Sequence, residues 1–276
     1  MDYEVEYNNR MRVPEHGAFA ARWSAASAAY RNDAAGAQLD LAYGGGERHR
    51  YDLFPAARPG APLVVYIHGG YWQRGDRKDY SFLARALNAA GMDVVLPSYS
   101  LCPAVSVMDI VGELRSCLAA VWKKTGKRPL VTGHSAGGHL TAAMLASDWT
   151  KISGVPADLV RAGVAISGVF EVAPLVGTTL NEALELDVAA ARAASPLLWP
   201  PPPKDRALVA AVGGSESPEF LRQSRAIVAA WTRTGLECAY LAVPGANHFS
   251  VVDELADPHS ALFAHVGRLA ERTNAA

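Results

Sequence analysis

Ser135 stands in the run L-V-T-G-H-S-A-G-G-H, with Gly133 and Gly137 two residues away on either side. A serine on a sharp turn between a strand and a helix, uncrowded by flanking side chains, is presented above a sheet edge as a nucleophile. Serine is weak in that role until a base takes its proton and a third group orients the base. In such sites the acid and then the base follow the serine in chain order. His248, in V-P-G-A-N-H-F-S, is the candidate base, and Glu216, in V-G-G-S-E-S, the candidate acid. Both are expected just past the carboxyl ends of strands, where open α/β sheets place their reactive groups. Asp253 competes as the acid; Glu216 is preferred because it has a post-strand loop of its own and the required order. His16, His49, His259 and His265 read as surface or packing residues. His134 and His139 flank the serine and follow no acid, and their spacing lacks the H-E-x-x-H pattern of a zinc site.

Acyl transfer also needs backbone N–H groups aimed where negative charge develops on the carbonyl oxygen. Ala136, directly after the nucleophile, is one candidate donor. The others come from V-V-Y-I-H-G-G-Y-W, where Gly69, Gly70 and Tyr71 follow an early strand and glycine lets the main chain approach a substrate. Four aromatic residues beside these motifs, Tyr71, Trp72, Phe170 and Phe249, are candidates for lining the substrate pocket, with ordinary core packing as the alternative. Trp72 has two possible roles: covering an aromatic leaving group, or bracing the loop from below.

The elements that must hold these residues alternate. Residues 38–43 and 48–53 flank a glycine turn and read as a hairpin. The run 63–67 is apolar throughout, as a strand buried on both faces requires. Then come a helix over 80–90, a strand over 93–96, a helix over 105–124, a strand over 130–132 and a helix over 137–147, a βαβ succession. Val107, Ile110, Val111, Leu114, Leu118 and Val121 form one apolar stripe, with Cys117 beside it as small core filler. Strands over 162–166, 208–212 and 239–243 follow, with helices near 219–234 and 260–273. A helix over 16–30 precedes the sheet. Residues 169–203 form an insertion expected to edge the active site, with one helix-like stretch over 180–192 and an extended proline-rich return.

The 276 residues would allow two average domains, yet the sheet spans nearly the whole chain, so one α/β domain is expected, with residues 1–36 as an N-terminal helical segment. With 26 basic and 27 acidic residues, the balance argues against a general nucleic-acid binder. The first dozen residues lack a signal-peptide apolar region, and no run approaches the about 18 apolar residues of a membrane span. Three cysteines without a CxxC pair suit a reducing compartment. A cytoplasmic enzyme acting on a small molecule, without metal or organic cofactor, is therefore expected, and a homodimer is compatible with it.

The motifs together resemble the α/β-hydrolase superfamily and, within it, the arylformamidase or kynurenine formamidase-like branch. The resemblance rests on H-G-G-Y-W at 68–72, G-H-S-A-G at 133–137, G-G-S-E-S at 213–217 with the following E-F-L-R-Q-S, N-H-F at 247–249, and Y-N-N-R at 7–10. It implies a mostly parallel central sheet flanked by helices and hydrolysis of N-formyl-L-kynurenine to L-kynurenine and formate. Members of the branch often carry Asp as the acid where this chain has Glu216. Shared motifs leave other readings open: a carboxylesterase for aryl or short-chain esters, another small amide hydrolase, or a non-catalytic ligand-binding protein on the same fold.

Overall fold

A computed structural model describes residues 1–274. Three helices open the chain: α1 (Tyr3–Tyr7), α2 (Asn9–Arg12) and α3 (His16–Asp33). Strands β1 (Gln38–Ala42) and β2 (Arg50–Phe54) form the expected hairpin, irregular where Asp40 takes a positive φ. Strand β3 (Leu63–Ile67) follows, and a 3-10 turn (Arg77–Tyr80) leads into α4 (Phe82–Ala89). Then come β4 (Asp93–Pro97), α5 (Val107–Thr125), β5 (Pro129–His134), α6 (Ala136–Leu145) and β6 (Ala162–Ile166). Two short helices, α7 (Asn181–Leu184) and α8 (Val188–Ala193), occupy the insertion. The chain closes with β7 (Ala207–Gly213), α9 (Pro218–Thr232), β8 (Glu237–Val243), α10 (Ser250–Asp253) and α11 (Ala261–Asn274).

All eight strands form one sheet in the order β1-β2-β4-β3-β5-β6-β7-β8. From β4 to β8 neighbours are parallel; β1 and β2 are antiparallel additions at one edge. Strand alternation divides the core between two faces. Leu63, Val65 and Ile67 pack with α5, α6 and α9, while Val64 and Tyr66 pack with α4 and α11. Each such side chain contributes about 1.5–3 kcal/mol by leaving water. From β3 the chain moves outward to β4, and from β5 it moves the other way to β6. The carboxyl ends of β3 and β5 therefore flank the switch point where open sheets form a crevice.

Helix α5 illustrates how local signals and packing agree. Ser106 and Asp109 form a reciprocal capping box, Gly126 ends the helix at φ 66°, and the whole predicted stripe, with Cys117, is buried. The insertion departs from its expected single helix. Glu185 adopts φ 51° between α7 and α8, the Asn181 carboxamide bonds the Leu186 main chain, and Asp187 caps α8. The caps within the stretch start a second helix instead of continuing the first. Among the described residues, no helix is long and apolar enough to cross a membrane.

Candidate active site

Ser135 occupies the single residue between β5 and α6, at φ 57° and ψ −116°. A non-glycine residue in this region is strained and persists only where its surroundings dictate it. Here they do. A Cβ at Gly133 would fall within 3.0 Å of Gly137 main chain, one at Gly137 within 3.0 Å of the Ile67 carbonyl, and one at Gly138 2.7 Å from the Ile166 carbonyl. The Ser135 N–H donates to that same Ile166 carbonyl at 2.8 Å. The glycines thus let α6 begin against both β3 and β6, and Ser135 has no angle left to relax. Its side chain does not cap the helix and borders a cavity of about 800 Å³.

His248 borders the same cavity, and its Nδ1 lies 2.5 Å from Glu216 Oε2. The other carboxylate oxygen accepts from the Gly213 N–H at 2.7 Å and from the Ser167 hydroxyl at 2.5 Å. Three partners from the ends of β6, β7 and the loop after β8 fix the acid, and the Nδ1 contact leaves Nε2 as the imidazole's second nitrogen. Ser167, at the end of β6 with φ 50°, had no motif to mark it. Asp253 is engaged elsewhere: it pairs with Arg22 at 2.6 Å and accepts the Trp23 indole N–H at 2.7 Å, docking α3 to the sheet's other face. Burial, and next the neighbouring His248, hold the His134 imidazole well below its usual range, so it stays neutral.

Beyond β3 three consecutive residues have positive φ: Gly70 at 115°, Tyr71 at 50° and Trp72 at 57°. His68 anchors the start of this loop, stacked 4.3 Å from Tyr99 and held neutral by burial, with its pKa lowered to about 4. Tyr99 donates its hydroxyl to the His68 carbonyl at 2.8 Å, and the Cys102 N–H donates to the Trp72 carbonyl at 2.8 Å. Gly69, Gly70 and Tyr71 border the cavity beside Ser135. Among the described residues, the N–H groups of Gly70, Tyr71 and Ala136 have no protein acceptor. Orphaned donors beside a helix start are suited to an anionic oxygen.

Two of the pocket-lining candidates need correction, Phe170 to core packing and Trp72 to the bracing position beneath the loop. Trp72 is completely buried, its ring edge-on to His139 at 4.9 Å; the left-handed turn sends it beneath the loop, away from the cavity. His139 in turn lies 2.7 Å from the Ala194 carbonyl through Nε2, and burial lowers its pKa to about 4. Phe170 is also wholly buried, with its N–H bonded to Gln223, and belongs to the core. Tyr71 and Phe249 do border the cavity, Phe249 stacking 6.1 Å from Phe19.

Another wall comes from the start of the N-terminal helical segment, ahead of the helix marked over 16–30. Tyr7 and Arg10 line the cavity, and Thr179, Leu180, Glu182 and Ala183 of the insertion line it too. Tyr7 donates its hydroxyl to Glu219 at 2.7 Å and accepts from Gln223 at 2.7 Å. Tyr71 reaches across to donate to the Tyr7 carbonyl at 2.5 Å and accepts from the Asn9 amide at 3.2 Å. Glu4 accepts from both the N–H and hydroxyl of Thr179 at 2.8 Å, bonds that hold its carboxyl below the usual range. A signal for α1 was present: Asp2 is an N-cap, with Glu4 and Glu6 in the first turn.

Residues 64–201 match the alpha/beta hydrolase fold family. Kynurenine formamidase of Danio rerio is 31% identical over 227 residues, covering 79% of this chain and 77% of that protein. The Drosophila melanogaster kynurenine formamidase is 27% identical over 78% of this chain and 76% of its own length. A solved Silicibacter sp. protein, provisionally assigned as a thioesterase, superposes with a TM-score of 0.88 at 34% identity, covering 96% of this chain and 99% of that one. Esterase B of Lactobacillus rhamnosis shares the fold at TM-score 0.70 and 19% identity, covering 95% of each chain. The chain belongs to the alpha/beta hydrolase family and is a hydrolase related to the kynurenine formamidases.

Proposed function

We propose that the chain is a serine hydrolase that cleaves an aryl formamide such as N-formyl-L-kynurenine through a formyl-enzyme intermediate. The observation that carries the chemistry is the convergence of strained Ser135 and the Glu216-bound His248 on one cavity beside the unpaired N–H groups of Gly70, Tyr71 and Ala136. The relationship to kynurenine formamidases over about three quarters of their length supports the substrate class.

His248 Nε2 takes the Ser135 proton as Oγ bonds to the formyl carbon, and the carbonyl electron pair moves onto oxygen among the three N–H groups. Glu216 holds the imidazole in the tautomer with Nδ1 protonated and compensates the imidazolium. Collapse of the adduct breaks the C–N bond, and the amine leaves with the proton from His248. Water, deprotonated by the same nitrogen, attacks the formyl ester; formate departs and Ser135 regains its proton. A second reading, hydrolysis of an ester or thioester by the same residues, is favoured by the 34%-identical Silicibacter protein.

The two are separated by comparing kcat/KM for N-formylkynurenine with that for aryl acetates and acyl thioesters, while a serine-directed phosphonate and mass spectrometry locate the nucleophile. A clear preference for the formamide and a label on Ser135 are expected. An ester or thioester preferred by orders of magnitude would reverse the substrate assignment; a label on Ser215 or Ser217 would remove the mechanism.

A further inference from the structure

Two arginines face the cavity without a counter-ion. Arg10, from α2, and Arg74, from the loop after β3, both line it, and neither forms an ion pair or a side-chain hydrogen bond among the described residues. Arg74 is partly buried, and its guanidinium is held below its ordinary range first by that burial and next by the charge of Arg10. The wall's acids do not neutralise them: Glu4 is bound to Thr179, and Asp79 and Glu182 border the cavity without forming an ion pair with either arginine. Other buried or half-buried arginines have protein partners: Arg31 and Arg128 pair with Asp52 and Asp158, Arg206 donates to the Leu145 carbonyl, and Arg115 donates to the Ser147 hydroxyl. A half-buried guanidinium on a pocket wall, with a second positive charge acting on it, is unfavourable until an anion joins them.

We infer that Arg10 and Arg74 form a carboxylate subsite, so that the substrate carries an acidic group at the end remote from the bond that Ser135 attacks. A carboxylate accepts paired bonds from guanidinium forks, and two forks fix its position as well as its charge. The inference deepens the proposed reading, since it takes the cavity beside Ser135 to be the substrate's. It selects among aryl formamides those with an amino-acid-like tail over simple formanilides, and gives α2 a part in recognition.

The test measures binding apart from turnover. In a Ser135→Ala background, calorimetry compares the Kd of N-formylkynurenine with that of the same compound whose carboxylate is converted to a primary amide. The carboxylate is expected to bind about tenfold tighter or better, the usual scale for a charge-assisted pair. Arg74→Gln should bring that ratio close to one, Arg10→Gln should lower it, and Arg74→Lys should restore part of it. Arg10 is exposed, so its variant reads the subsite even if Arg74→Gln folds poorly. A ratio near one in the parent background, no binding of either compound, or a ratio unmoved by both substitutions overturns the subsite. Absence of formamide turnover in the wild-type enzyme with the ratio intact would instead overturn the formamidase reading alone.

Discussion

Around Ser135 the chain is held by main chain against main chain: Gly133, Gly137 and Gly138 bring α6 against the carbonyls of β3 and β6, and no side chain intervenes. Around Tyr7 and Thr179 the opposite holds. There α1 is fastened by Glu4, Glu6 and the Tyr7 hydroxyl to groups 175, 213 and 212 residues along the chain. The first region is the sheet's own edge and inherits its rigidity. The second is a strap of short helices, too brief to be stable alone, whose position depends on a few polar contacts. On the proposed function, reaction geometry and substrate choice thus rest on regions with different tolerances for change.

The difference can be broken most severely at the floor. Ser135→Ala should reduce kcat/KM by several orders of magnitude while leaving the melting temperature nearly unchanged, which steady-state kinetics and calorimetry together would establish. Next comes the choice of acid: Glu216→Gln is expected to lower kcat by about 10²–10⁴, because the imidazolium loses its partner, and Asp253→Asn by less than about tenfold. Equal losses would mean that docking of α3 governs the site as strongly as the acid does.

Acid stability separates the regions in another way. His68 and His139 lie beneath the floor with pKa values lowered to about 4, against about 6.5 when unfolded. Between those values the unfolded chain takes up protons that the fold refuses, so stability is complete above about pH 6.5 and declines as pH falls toward 4. The loss should approach about 3 kcal/mol per histidine. Urea midpoints at pH 7.5 and 4.5 would reveal it, and His139→Gln should shrink it; an unchanged pH dependence in that variant would show that the buried imidazole is not responsible. The smallest effect belongs to the wall. Glu4→Ala removes the Thr179 bonds at an exposed site and should raise KM two- to fivefold with kcat nearly constant, on the scale of about 1 kcal/mol or less. A fall in kcat instead would mean that the strap also holds Tyr71 in place.

The same division governs what could be read from the chain. The apolar run of β3, the stripe of α5 and the glycines around Ser135 are local patterns with local causes, and the structure reproduces them. Strand order separated Glu216 from Asp253; the Glu216 carboxylate meets His248 Nδ1, while Asp253 is bound to Arg22 and Trp23. Phe170 went astray, and Trp72 kept two roles open, because neighbouring a motif says nothing about side-chain direction, least of all across residues of positive φ where strand alternation has lapsed. Within the helical segment over 1–36, the part that α1 and α2 play at the cavity went unread because what holds them is distant: Thr179, Glu219 and Tyr71 reveal that role only once the sheet has brought them together.

The left-handed pair Tyr71 and Trp72 has a practical consequence for anyone engineering heat tolerance. A side chain in that conformation costs about 1–2 kcal/mol per residue, and glycine would avoid it. Yet glycine at 71 would unhook the hydroxyl from the Tyr7 carbonyl, and glycine at 72 would empty the space against His139. At 72 the emptied space outweighs the relief, since truncating a buried aromatic costs about 3–5 kcal/mol, so ranking by melting temperature retains the Trp72 ring as ranking by turnover does. At 71, where the ring is only half-buried, relief and lost bonds are closer in size, and that codon has to be scored for thermal robustness and turnover together.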